Sequence, residues 1–119
     1  MILIIGAMGA GKNEYIRSLG FGENCLGESI DGNEPVLYGL HEIIRKNGFF
    51  DEGWLNALGS KDIICCDEVG CGVVPLDAGE RKWRDEVGKA CCVLAREANT
   101  VVRVACGIAQ AIKGTLPCE

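Results

Sequence analysis

The feature that most limits what this chain can fold into is a glycine-rich run placed directly after five apolar residues. Met1-Ile2-Leu3-Ile4-Ile5 is followed by Gly6-Ala7-Met8-Gly9-Ala10-Gly11-Lys12-Asn13. An unbroken Ile-rich run suits a strand buried on both faces of a parallel sheet. The run after it meets the phosphate-loop pattern G-x-x-x-x-G-K-[ST] at every defined position except the last, where Asn13 replaces the hydroxyl.

The chemistry expected of the loop follows from its backbone. Gly6, Gly9 and Gly11 permit dihedral angles and close approaches that a Cβ forbids, so successive N–H groups can turn toward one anion. The helix that follows adds the positive end of its dipole, and Lys12 supplies a mobile charge. A nucleoside triphosphate is therefore expected on Gly6, Gly9, Ala10, Gly11, Lys12 and Asn13. Nothing in the sequence selects GTP over ATP.

Asn13 separates binding from turnover. Cradling phosphates needs backbone donors and Lys12 but not the missing hydroxyl, so affinity should survive the exchange. An Asn carbonyl oxygen can ligate Mg²⁺, yet its longer side chain shifts an ion that tolerates little departure from octahedral geometry. Phosphoryl transfer should suffer more than binding.

Acids at the end of a neighbouring strand complete such a site, and the run Ile63-Ile64-Cys65-Cys66-Asp67-Glu68 supplies them. The expected catalytic set is Lys12, Asp67 and Glu68, and the expected Mg²⁺ ligands are Asn13, Asp67 and Glu68. Asp31, at the expected end of a second strand, is a further candidate for that shell. A solvated loop start is the plain alternative for Glu68 and for Asp31.

A helix is expected from Lys12 to Leu19, stopped by Gly20. Gly20 to Glu28 reads as a loop or as the approach to a short second strand ending near Ile30 and Asp31. Asn33 can cap a helix with Pro35 in its first turn, carrying Val36, Leu37, Leu40, Ile43 and Ile44 until Asn47 and Gly48. A short helix opened by Asp51 would carry Trp54, Leu55 and Leu58. From Ala78 to Asn99, Trp83, Val87, Ala90, Cys91, Leu94, Ala95 and Ala98 trace one helical stripe. Thr100 to Cys106 is expected to be the last strand, broken by Gly107.

This alternation predicts an α/β fold: a P-loop NTPase-like layered domain, residues 1–119, with a mostly parallel sheet flanked by helices. With 48% apolar and 24% charged residues the chain has the balance of a folded globular protein. A net charge of -5 argues against a nucleic acid or an anionic membrane as partner. The apolar run at Met1–Ile5 is too short to span a bilayer and no basic segment precedes it, so a cytoplasmic location is expected. The eight cysteines contain no C-x-x-C pair and several fall in apolar runs, which predicts free, mostly buried thiols rather than a disulfide framework or a zinc site.

The second half carries a longer pattern. Glu68, Val69, Gly70, Gly72, Val73, Val74 and Pro75, then Arg81, Arg84, Asp85 and Gly88, then Ala98, Val101, Gly107, Ile108 and Lys113 stand at fixed spacing, without a gap from Glu68 to Val101. This resembles the bifunctional adenosylcobinamide kinase/adenosylcobinamide-phosphate guanylyltransferase family of cobalamin assembly. That family's pattern runs N-E-V-G-x-G-[IV]-V-P, R-x-F-R-D-x-x-G-x-x-N-Q, A-D-x-V and G-[IL]-P-x-x-[LI]-K. The opening M-I-L-I-x-G-x-x-x-x-G-K is similar to the family's start.

The resemblance implies a parallel P-loop sheet, GTP or ATP on the loop, homo-oligomers, and phosphorylation of the aminopropanol hydroxyl of cobinamide followed by GMP transfer. Arg81 and Arg84, with Asp85, would bind phosphate or close a subunit contact, a solvated helix face being the alternative. The departures are specific. The chain is shorter between the loop and Glu68 than the family pattern, and its single histidine, His41, lacks the H-R-x-x-R-P context of the family's guanylylated nucleophile. Asp67 replaces Asn, Trp83 replaces Phe, and Cys91 and Cys92 replace the N-Q pair. The expected function is a kinase-like, nucleotide-binding protein that has lost the guanylyltransferase step. Its rival is a non-catalytic nucleotide-binding or structural subunit, and His41 is expected to be a helix-surface or partly buried residue.

Overall fold

The computed structural model describes residues 1–30, 32–47, 53–69 and 77–117. Their backbone forms one six-stranded sheet in the order β2-β3-β4-β1-β5-β6. The strands are β1 (Ile2–Gly6), β2 (Leu26–Gly27), β3 (Val36–Tyr38), β4 (Ile63–Asp67), β5 (Thr100–Ala105) and β6 (Ile108–Lys113). All pairings are parallel except that of β5 with β6. The helices are α1 (Lys12–Ser18), α2 (Leu40–Asn47), α3 (Trp54–Leu58) and α4 (Ala78–Glu97). The chain is thus an α/β protein with a mostly parallel sheet, as expected.

Strand alternation divides the core into two layers. Leu3, Leu37, Ile64, Cys66 and Val101 pack with Leu40, Ile43 and Ile44 of α2, Leu58 of α3 and Val87, Ala90 and Leu94 of α4. Ile4, Val36, Ile63, Cys65, Val102 and Val104 pack on the other face with Ile16 of α1. Covering both faces explains why β1 and β4 read as continuous apolar runs. Trp83, Cys91 and Ala95 join the first layer and Ala98 is buried there, so the stripe expected on α4 is the one that packs. Adjacent Cys65 and Cys66 enter opposite layers.

Three expectations about elements need correction. Val36 and Leu37 lie in β3, between β2 and β4, not in a helix. Gly39 at φ 79° turns the chain from that strand into α2. The helix-like spacing arose because a short buried strand and an amphipathic helix follow each other without an apolar gap, and short runs do not reveal their period. The second strand is only Leu26–Gly27 and ends before Ile30; Asp31 lies outside the described residues, as does Asp51.

The third correction concerns Gly107, which does not end the sheet. Cys106 and Gly107, at φ 54° and 74°, form a tight turn into the antiparallel strand β6. A Cys in the first turn position hid the usual Asn-Gly or Asp-Gly signal. Lys113 at the end of β6 then donates to the Ala95 and Arg96 carbonyls at 2.9 and 2.8 Å, satisfying groups in the last turn of α4. Of the described cysteines, Cys65 and Cys66 are buried, Cys25 and Cys91 intermediate, and Cys92 and Cys106 exposed. No described helix is long and apolar enough to cross a membrane.

The glycines at the end of β1 differ in what they tolerate. A Cβ on Gly6 would sit 2.5 Å from the Val104 carbonyl oxygen of β5, whereas Gly9 has open space but φ 78°. Gly9→Ala should cost about 1–2 kcal/mol of backbone strain, and Gly6→Ala about 3 kcal/mol or more because two strands must part. Urea unfolding of the two variants checks that order.

Candidate functional site

The loop between β1 and α1 opens at the carboxyl end of the sheet, where β1 lies between β4 and β5. In open α/β sheets, this edge, where neighbouring connections diverge, is where ligands bind. The loop is braced from two sides. Gly107 donates its N–H to the Ala10 carbonyl at 2.8 Å, and the Glu68 N–H reaches the Gly6 carbonyl at 2.9 Å. A Cβ on Gly11, at φ 103°, would stand 3.0 Å from Gly107 Cα, so the hairpin turn and the loop require each other's lack of side chain.

Lys12 is the centre of this arrangement. Its side chain is 5% exposed, and its ammonium donates to the Gly6 carbonyl at 3.0 Å and the Ala7 carbonyl at 2.8 Å. It also lies 2.7 Å from Asp67 Oδ1. Three acceptors match the three N–H donors of a lysine, which is what keeps a buried ammonium tolerable. The N–H groups of Met8, Gly9 and Gly11 make no backbone hydrogen bond among the described residues. They belong to residues lining an open cavity of about 830 Å³, with Ala10, Lys12, Asn13, Tyr38, His41 and Asp67 among the other walls.

His41 enters the site from α2. Its Nδ1 accepts the Asp67 N–H at 3.2 Å, and its Nε2 lies 3.3 Å from Asp67 Oδ2. The accepted bond requires an unprotonated Nδ1, so in the neutral ring Nε2 carries the hydrogen and faces the carboxylate. Trp83 Nε1 in turn donates to the His41 carbonyl at 2.8 Å, and Arg45 lies 3.7 Å over the Trp83 ring. Arg45 also pairs with Glu80 at 2.6 Å. A continuous set of contacts therefore runs from α4 through His41 to Asp67 and Lys12.

Two neighbours share this environment. Burial pushes the Cys65 thiol up to about 12, against the lowering influence of Lys12, so it is a neutral core group at physiological pH. Burial likewise raises the Tyr38 phenol. Asn13 Oδ1 is buried without a hydrogen-bond partner among the described residues. An orphaned carbonyl oxygen of this kind costs stability unless something else meets it.

Residues 51–112, more than half of the chain, match the family described as cobinamide kinase / cobinamide phosphate guanyltransferase. The chain belongs to this family. Among curated proteins none matches it. The matched region holds α3, β4, α4, β5 and most of β6, and begins after the phosphate loop.

Within this cobinamide kinase / guanyltransferase relative, the expected site residues separate. Gly6, Gly9, Ala10, Gly11, Lys12, Asn13 and Asp67 converge at one end of the sheet. Glu68 turns away: its carboxylate is held by Arg103 of β5 at 2.9 and 3.2 Å and does not line the loop cavity. Arg81 and Arg84 lie on α4 and are likewise not among the cavity walls. Asp31 and the patterned residues Gly70 to Pro75 lie outside the described residues.

His41 and Tyr38 are among the wall residues that reading the sequence alone did not place in the site. Their only signal was position: Tyr38 ends the short apolar run that forms β3, and His41 follows in the first turn of α2. His41→Ala would leave the Asp67 N–H unpaired and is expected to cost about 1–3 kcal/mol. His41→Asn, with an acceptor near the position of Nδ1, should recover part of that loss, as measured by chemical denaturation.

Proposed function

We propose that the loop cavity binds a nucleoside triphosphate, GTP or ATP, and that the protein phosphorylates the hydroxyl of adenosylcobinamide without the later guanylyl transfer. The observation that carries this reading is Lys12, held at the bend of the loop between two of its carbonyls and Asp67, beside N–H groups that have no backbone partner among the described residues. Membership of a family named for a kinase and a guanyltransferase supports a nucleotide-dependent transferase in cobalamin biosynthesis. In this reading residues 1–119 act as one nucleotide-binding domain.

The roles follow from donor chemistry. The amides of Met8, Gly9 and Gly11 bind phosphate oxygens, and Lys12 exchanges a loop carbonyl for a terminal phosphate oxygen, neutralising charge there. Asp67, held by Lys12 and His41, is fixed in orientation. Mg²⁺ fits the oxygen set: the orphaned Asn13 Oδ1 and the Asp67 carboxylate line the same cavity, and this ion takes one or two protein oxygens with phosphates and waters. When bound, it would supply charge neutralisation across the β- and γ-phosphates.

Loss of guanylyl transfer is supported by His41. It is the single histidine of the chain, and both of its ring nitrogens face Asp67, leaving neither directed as a nucleophile. Asn13 favours a second reading, a nucleotide-binding subunit that does not turn over, because the metal oxygen sits on a longer arm than Ser would provide.

Calorimetry with GTP and with ATP, each with and without Mg²⁺, tests the first reading, together with mass spectrometry of cobinamide after incubation. Lys12→Ala should weaken nucleotide binding about 10- to 100-fold, the worth of a charge-assisted contact. An unchanged affinity would remove Lys12 from the site. Asn13→Ser should raise the phosphorylation rate about tenfold or more while leaving affinity nearly constant, since the metal position governs transfer more than binding. Nucleotide binding with no phosphorylated product in either protein would leave the non-catalytic reading.

A further inference from the structure

Among the described residues the two edges of the sheet are unequal. One is β2, only two residues long, and so short an edge offers little to a neighbouring chain. The other is β6, six residues reading I-A-Q-A-I-K, which pairs with β5 on one side and with no described strand on the other. It lacks the usual guards of an exposed edge. No proline falls between Ile108 and Lys113, and the register irregularity of the hairpin lies at Val101/Val102, at the end of β5 away from the turn. Its one charge, Lys113, is turned back onto the Ala95 and Arg96 carbonyls of α4.

The side chains are as unguarded as the backbone. Ala109 packs with the layer that holds Ile16 of α1, so Ile108, Gln110 and Ile112 point to the opposite face of the sheet. Ile108 is 71% exposed and Ile112 57%, and with Leu116 they are three of the four large exposed apolar residues among those described. Arg103, opposite Gln110 on β5, is neutralised by Glu68. The centre of this edge therefore carries apolar and amide groups without net charge.

We infer that β6 is an interface whose occupant is β6 of a second copy of this chain, paired antiparallel about a two-fold axis at Gln110. The register follows from the hairpin. A two-residue turn at Cys106 and Gly107 makes Ala105 and Ile108 a hydrogen-bonded pair, so along β6 the N–H and C=O groups of Ala109 and Ala111 are directed away from β5. Placing Ala109 opposite Ala111 of the second copy lets the two residues exchange both hydrogen bonds, and the symmetry repeats the exchange on the other side of the axis.

The same register sets Ile108 against Ile112 of the second copy. It sets Gln110 against its own counterpart, where each amide can donate and accept across the axis. A strand whose apolar residues stand two positions to either side of a neutral centre is complementary to itself, which is what an isologous contact requires. Each copy uses its β6 edge in the pairing and has only the short β2 edge left, so the assembly closes at two copies.

Analytical ultracentrifugation of the full chain over a range of concentrations tests this, with variants at position 110. The parent should sediment as a reversible dimer. Gln110 is exposed, so Gln110→Lys and Gln110→Glu should fold as the parent does, and circular dichroism checks this. Each variant sets like charges opposite one another at the axis and should weaken dimerisation about tenfold. Mixed in equal amounts, the two should dimerise again with about the parent's affinity, because each lysine then meets a glutamate. A parent that stays monomeric, a dimer that both variants leave unchanged, a mixture that does not recover, or an assembly that grows past two copies would each overturn the assignment.

Discussion

A buried ammonium with three acceptors is the interaction on which the rest of this structure depends. Lys12 cannot be left in the low-dielectric end of the sheet without partners, and the chain supplies them from two places. Gly6 and Ala7 offer carbonyls because the loop bends back over the end of β1, and Asp67 offers a carboxylate because β4 lies beside β1 in register, Gly6 opposite Asp67. If either strand slipped by one residue, the acid would point to the other face and the lysine would lose its counter-charge. Register in the sheet and charge in the site are one constraint.

Rigidity around that contact comes from neighbouring elements on both sides of the loop. The β5–β6 turn presses Gly107 against Gly11 and donates to Ala10, so a hairpin remote in sequence holds the loop from one side. From the other side, His41 binds both the backbone and the side chain of Asp67, and Trp83 fixes His41 through its carbonyl. Such supporting contacts matter because a polar group that carries chemistry must be held by neighbours that are themselves locked. Arg45, stacked on Trp83 and paired with Glu80, extends this support to the surface.

The legible parts of the fold were those in which one local signal was strong. Met1–Ile5 and the run into Asp67 announced buried parallel strands, and the stripe from Trp83 to Ala98 announced α4, because each kept a single period over its whole length. Val36–Tyr38 was misread because three strand residues feed through Gly39 into an amphipathic helix, and the joined apolar positions imitate one helix. β6 was missed because Cys106 occupies a left-handed turn position where Asn or Asp would have signalled a hairpin. For the site, the loop and Asp67 were legible from spacing alone. The orientation of Glu68 toward Arg103 and the arrival of His41 were not, since both depend on which strands become neighbours.

The phosphate loop and the family-matched region occupy separate stretches of the chain. The family match begins at residue 51 and draws nothing from the loop, whereas the loop, Gly6 to Asn13, lies wholly outside the matched region. They join where Asp67, inside the match, lies 2.7 Å from Lys12, outside it. A decaying nucleotide site would lose that contact early: without a ligand to select for it, either partner left alone is a buried charge, and replacing both by apolar residues can be neutral or stabilising. The pair is instead intact, fully hydrogen-bonded and supported from α2. Under the proposed function, the exchange at Asn13 falls on a metal position and leaves the proposed grip on phosphate unchanged.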